Sequence, residues 1–131
     1  MKEEHSTAAV VYHNEKYLLL KYAMGHWGFV KGNMEQGESK KETILRELEE
    51  ETGIEDVNII KGFQEKYEYY YKFQGTLIHK QVDCLLIESK TTNVELSYEH
   101  TDYAWLAYKK AMKKLSHDNT RKILKQAHSF L

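Results

Sequence analysis

Gly32-Asn33-Met34-Glu35-Gln36-Gly37-Glu38-Ser39-Lys40-Lys41-Glu42-Thr43-Ile44-Leu45-Arg46-Glu47-Leu48-Glu49-Glu50-Glu51-Thr52-Gly53-Ile54 is the stretch on which the reading turns. It opens as a glycine-spotted loop. Ser39 and Glu42 then stand at capping-box spacing, where a hydroxyl and a carboxylate each satisfy an orphan amide at a helix start. Gly53 supplies the left-handed stop. The spacing predicts a helix over about 39–52, with Ile44, Leu45 and Leu48 on the side that docks on a core.

Inside that helix Glu47, Glu50 and Glu51 fall within an arc of about 100°. Like charges at this spacing repel by a few tenths of a kcal/mol per pair. An isolated glutamate-rich helix face is ordinarily just solvated. A hard, oxygen-seeking cation among the three reverses the sign, and Mg²⁺ suits a few carboxylates, retained waters and substrate phosphates. Arg46, four residues before Glu50, is placed to hold that carboxylate, as an outer-shell partner of a metal ligand does.

Working outward, Thr7–Tyr12 and Tyr17–Tyr22 are β-prone and separated by His13-Asn14-Glu15-Lys16, which reads as a hairpin. Val57–Phe73 and Thr76–Glu88 form a second, longer hairpin about Gln74-Gly75. Cys84 to Ile87 is apolar on both alternating faces, as expected of a strand covered on both sides. A short strand over Tyr103–Leu106 precedes two helical stretches. Ala107, Tyr108, Ala111, Met112 and Leu115 form the stripe of the first; Ile123, Leu124, Ala127 and Leu131 form that of the second, with Asp118 or Asn119 as its cap. The fold class expected is α+β, a mixed sheet sandwiched between helices, as one domain across residues 1–131.

The 131 residues, 15.5 kDa, suffice for one core. Nineteen basic against 20 acidic residues leave a net charge of -1, so no broad positive field is expected and no extended nucleic-acid surface. The single cysteine, Cys84, excludes an internal disulfide and any multi-cysteine zinc site. No apolar run approaches the roughly 20 residues of a membrane span, and the acidic, non-hydrophobic N-terminus does not read as a signal peptide. A cytoplasmic home is the expectation, and nothing in the sequence sets an oligomeric state.

Gly32, Glu38, the Arg46-Glu47-Leu48-Glu49-Glu50-Glu51 run and Gly53-Ile54 resemble, position for position, the signature box of the Nudix hydrolases. Seven fixed letters and two apolar positions coincide by chance about once in 10⁸ registers at average residue usage. The resemblance implies a Nudix fold, a divalent metal (Mg²⁺, with Mn²⁺ as substitute) on Glu47, Glu50 and Glu51, and hydrolysis of a nucleoside diphosphate linked to another group. Clustered Mg²⁺ neutralises phosphoryl oxygens and activates water for in-line attack.

Outside the box, His26-Trp27-Gly28-Phe29-Val30-Lys31-Gly32, Ile60-Lys61-Gly62-Phe63, and Leu96-Ser97-Tyr98-Glu99-His100 followed by Tyr103-Ala104-Trp105-Leu106 resemble the asymmetric diadenosine tetraphosphate hydrolases. That likeness implies cleavage of a small-molecule dinucleoside polyphosphate to ATP and AMP. It implies that Lys31 and Lys80 contact polyphosphate, Tyr22 and His26 line its path, and Tyr71 and Tyr103 stack on adenine. It also brings Glu99 to the metals from outside the helix, as general base or further ligand. Glu47 or Glu50 is the alternative base. Tyr67, Tyr69 and Tyr70 read as packing residues, and His79 and His100 as polar residues with satisfied hydrogen bonds. The chain departs from the pattern at Val30, in place of proline, which frees the loop, and at Asn33, in place of histidine. An RNA 5′-pyrophosphohydrolase or broad nucleotide pyrophosphatase uses the same metals and needs only a local basic patch such as Lys31, Lys61 and Lys80. A nucleotide-sensing module that binds without cleaving would be expected to lack an acid of the box, and none is missing.

Overall fold

The computed structural model describes residues 1–131. Eight strands and three helices follow one another: β1 (Lys2–His13), β2 (Lys16–Tyr22), β3 (Trp27–Gly28), β4 (Val30–Asn33), α1 (Lys40–Thr52), β5 (Val57–Ile59), β6 (Glu65–Phe73), β7 (Thr76–Ser89), β8 (His100–Ala107), α2 (Tyr108–Lys114) and α3 (Asp118–Phe130). One mixed sheet runs β3-β2-β1-β7-β5, with β4 paired to β1, β6 to β7 and β8 to β2. Its centre is the parallel pair β1 and β7, in register from Lys2 with Ile78 to Tyr12 with Glu88. A parallel pair needs a long crossover, and the chain between the two includes α1.

Period-two alternation sends successive side chains of the central strands to opposite layers. Ala8, Val10, Tyr17, Leu19, Cys84 and Leu86 pack with Ala111, Leu115, Ile123, Leu124 and Ala127 of the α2–α3 side. Ala9, Val11, Leu18, Leu20, Leu85 and Ile87 pack with Ile44 and Leu48 of α1. This is the expected sandwich and explains why both faces of β7 are apolar.

The capping box on α1 forms in both directions between Ser39 and Glu42, and Gly53 closes the helix at φ 74°. Leu45, expected on the docking side, is exposed, because one residue's 100° advance from Ile44 carries it off the core. The strand expected over 57–73 is interrupted between β5 and β6: Gly62 at φ 90° turns the chain and Phe63 drops into the core. Residues 30–33, expected in a loop freed by the missing proline, are strand β4, with Val30 opposite Ala9 and buried. The strand expected at 103–106 begins at His100. Neither Asp118 nor Asn119 caps α3; His117 holds that position without a side-chain bond, while Asp118 pairs with Arg121 at 2.5 Å.

The charge is not evenly spread. From Tyr108 to Leu131, seven lysines and arginines face one aspartate, so the near-zero net charge is the sum of a basic α2–α3 layer and an acidic remainder. The expectation of no broad positive field fails at that layer. No helix is long and apolar enough to cross a membrane.

Candidate active site

The box acids of α1 lie in its last two turns, and its last turn holds no basic residue to offset the negative end of the helix dipole. They fan from solvent to core: the Glu50 side chain is 58% exposed, that of Glu47 14% and that of Glu51 4%. The fan lets one helix turn present carboxylates at three depths.

Arg46 is the hub, and its strongest partner is Glu38 rather than Glu50. Its Nε donates to Glu38 Oε2 at 2.7 Å and its Nη2 to Oε1 at 3.0 Å, a two-point grip. Nη1 donates to Glu47 at 2.8 Å and Glu50 at 3.3 Å, and Nη2 also reaches the Asn33 carbonyl at 3.1 Å. Glu38 in turn accepts from the Glu35 amide and the Thr43 hydroxyl. The Arg46 hydrogen bond, with these others, holds the Glu38 carboxyl down to about 2. The arginine thereby ties the loop at Glu38 to the acids of the helix.

Glu51 is the least comfortable group in the protein. Both carboxyl oxygens are buried without a hydrogen bond of ordinary geometry, and the nearest base, His100 Nε2, lies at 3.4 Å and is itself unpartnered. Burial first, then the neighbouring carboxyl of Glu47 and the charge of Glu99, push its pKa up to about 10. His100, expected to have satisfied hydrogen bonds, is satisfied only at Nδ1, by Ser97 at 3.3 Å. An uncompensated buried carboxyl is costly unless a cation reaches it. Glu47 is fitted as closely: a Cβ at Gly32 would stand 2.0 Å from its Cδ, so the glycine exists here to let the carboxyl lie on the backbone.

A polar cleft is lined by Lys31, Glu47, Glu50, Lys80 and Glu99. The donor set suits a hard divalent cation. With Arg46 on Glu47 and Glu50, no three of the carboxylates converge on one point. Lys80 is nearly buried, its ammonium donating to Asn33 Oδ1 at 2.6 Å and Glu4 at 3.3 Å. Ser6 donates to the same Asn33 oxygen at 2.7 Å. The residue standing where histidine was expected therefore positions the lysine.

On the α2–α3 side of the sheet a second hollow of about 390 Å³ is walled by Tyr22, His26, Phe29, Tyr67, Tyr69 and His117. His26 stacks on Tyr22 at 4.4 Å, and Tyr67 on Tyr69 at 6.2 Å. The Tyr22 hydroxyl donates to the Phe29 carbonyl, so this residue offers only its ring. Burial, then His117, depress the His26 pKa, so its ring enters the wall uncharged at neutral pH. Lys31 lines both hollows and donates to the Tyr69 hydroxyl at 3.1 Å.

Tyr71 and Tyr103, expected to stack on adenine, stand apart from each other and from this hollow. Tyr71 donates to Glu4 at 2.6 Å, and Tyr103 lies in a shallow groove beside Thr52, Gly53 and Trp105. Tyr67 and Tyr69, taken for packing residues, line the cavity instead. Alternation along β6 was the signal: residues 67, 69 and 71 share one face, and Tyr70 points away to stack on His79.

The NUDIX domain model matches residues 3–127. The asymmetrical bis(5′-nucleosyl)-tetraphosphatase of Mus musculus is 38% identical over 122 residues, spanning 88% of this chain and 80% of that protein. Its counterpart in Sus scrofa is 33% identical over 121 residues, with the same coverage. An Ap4A hydrolase of C. elegans, crystallised as a binary complex, superposes with a TM-score of 0.84 at 25% identity, covering 97% of this chain and 96% of that one. A matched family model along nearly the whole sequence, on a fold and a box of acids that agree with it, establishes that the chain belongs to the Nudix family and is a Nudix hydrolase.

Proposed function

We propose that the chain hydrolyses diadenosine tetraphosphate and related nucleoside polyphosphates asymmetrically, releasing ATP and AMP, with Mg²⁺ held by Glu47, Glu50, Glu51 and Glu99. The observation that carries this reading is Lys31, which belongs at once to the aromatic cavity and to the carboxylate cleft. A substrate with a flat base at one end and several phosphates behind it fits two hollows joined by a cation. The relatives, an asymmetrical bis(5′-nucleosyl)-tetraphosphatase and an Ap4A hydrolase, point the same way.

The residues divide the work. The rings of Tyr22, His26, Tyr67 and Tyr69 take one adenine, each stacked base being stabilised by about 1–3 kcal/mol. Lys31 and the Asn33-held Lys80 neutralise and orient the polyphosphate. Mg²⁺, when bound, polarises the phosphoryl oxygens and lowers the pKa of water. Arg46 keeps Glu47 and Glu50 in reach of that ion. Glu99, or else Glu47 or Glu50, accepts the proton of the attacking water.

Diadenosine tetraphosphate offered with Mg²⁺ is expected to yield ATP and AMP in equal amounts, with none in excess chelator. Two ADP molecules would overturn the asymmetric reading. Supplying 5′-triphosphorylated RNA in competition identifies the better substrate.

A further inference from the structure

We infer that the α2–α3 layer is a binding track for the backbone of a single-stranded nucleic acid, whose terminal base enters the Tyr22–Tyr69 cavity. Lys109, Lys110, Lys113, Lys114, Lys122 and Lys125 are all exposed. None of them forms an ion pair; the only one on this layer joins Arg121 to Asp118. At 100° per residue the four lysines of α2 occupy an arc of about 140°, opposite buried Ala111 and Leu115. A like-charged surface of this density opposes folding through self-repulsion, a cost relieved by a polyanion.

The track leads to the cavity. Lys114 Nζ lies 4.4 Å over the Trp27 ring, and Trp27 adjoins His26 and Gly28 of the cavity wall. The corner between α2 and α3 supplies the opposite wall through His117, Asn119 and Thr120. A strand with its first base among the rings therefore emerges directly onto lysines, the combination of stacking platform and basic groove that single strands use. An anionic membrane is the poorer fit. The lysine arc of α2 carries no exposed apolar residue and its apolar side is spent on the core; the exposed apolar residues of the layer, Phe130 and Leu131, stand at the C-terminal end of α3, where Phe130 packs edge-on against Phe63. The track rests on charge and placement alone; only its end in the cavity rests on the function proposed above.

The test is fluorescence anisotropy of a 3′-labelled, 5′-phosphorylated RNA of about 12 nucleotides, in chelator so that nothing is cleaved, across a salt series. Each phosphate contact contributes about -0.7 to the slope of log K against log salt, so three or four contacts give about -2 to -3. Replacing Lys110, Lys113, Lys122 and Lys125 together by Gln is expected to weaken binding at least ~10-fold and flatten that slope, with an unchanged circular dichroism spectrum and thermal melt as the control for folding. If that variant does not fold, the pair Lys110→Gln and Lys113→Gln is read the same way, with about half the loss. Wild-type affinity in the folded variant, a flat slope in the wild type, or equal binding of an oligo-aspartate peptide would overturn the proposal. So would binding of phosphatidylserine vesicles with none of RNA. Loss of RNA binding on Tyr69→Ala supports entry into the cavity, and because cleavage is never read, the outcome stands apart from that of the hydrolase reading.

Discussion

Gly32 shows how tightly one residue can be specified by its neighbour. Its backbone is not left-handed, so nothing but space requires glycine; a methyl group would overlap the carboxyl of Glu47. The overlapping atoms are the end of a flexible side chain, which can swing aside at little cost to the fold. Gly32→Ala is therefore expected to lower kcat at least ~10-fold, about 1.4 kcal/mol of transition-state stabilisation, while the melting temperature stays within ~2 °C of wild type. Steady-state kinetics beside a thermal melt checks both halves, and a large loss of stability with normal turnover would contradict the argument. Glu50, by contrast, is exposed and held only by Arg46 at 3.3 Å. Glu50→Gln removes a charge without leaving a buried gap, and turnover is expected to fall at least ~10²-fold with the fold intact. Most box positions could be read from the sequence because their chemistry is local to one helix. Asn33, His100 and the cavity tyrosines were not so legible, since their roles depend on Lys80, Glu51 and Lys31, residues some 36 to 49 positions away in the sequence.

At the level of elements, α1 was legible to its caps because a capping box and a C-terminal glycine act within a few residues. β3 and β4 were not, because two- and four-residue strands exist only through pairing with β2 and β1. The joint of β1, β6 and β7 has its own device. His79 Nδ1 meets Glu3 at 2.7 Å and Nε2 meets Glu68 at 3.0 Å, so both ring nitrogens face carboxylates and the clasp is complete only with two protons on the ring. The Glu68 bond, then that to Glu3, raise its pKa above 6.5 against some desolvation. A folded pKa raised above the unfolded one gives stability that is full below about 6.5 and lost as pH rises through the folded value. The gap in melting temperature between wild type and His79→Gln should be widest near pH ~6 and close as pH rises. A gap that widened with pH would refute the clasp.

Across the whole molecule the sheet separates two cores, and the α1 core ends in the buried acid Glu51. Stability and the proposed chemistry therefore meet at one side chain, because the fold carries an unpartnered carboxyl in its interior. Without divalent ion this group loses stability as pH climbs above its unfolded pKa near 4.3, because the folded state keeps a proton that the unfolded chain gives up. A ligand that binds only the folded state adds RT ln(1 + [L]/Kd), about 2.7 kcal/mol at a hundredfold excess over Kd. Wild type should then melt several degrees higher in saturating Mg²⁺ than in chelator at pH ~7.5, a shift of order 4–8 °C for 2 kcal/mol or more in a domain this size. Glu51→Gln, which removes the ionisable group and its protonation cost but keeps its shape, should melt higher than wild type in chelator and gain little from Mg²⁺. If Glu51→Gln kept the full magnesium shift, the buried carboxyl would be a mere packing residue and the ion would have to be held by Glu47, Glu50 and Glu99 alone.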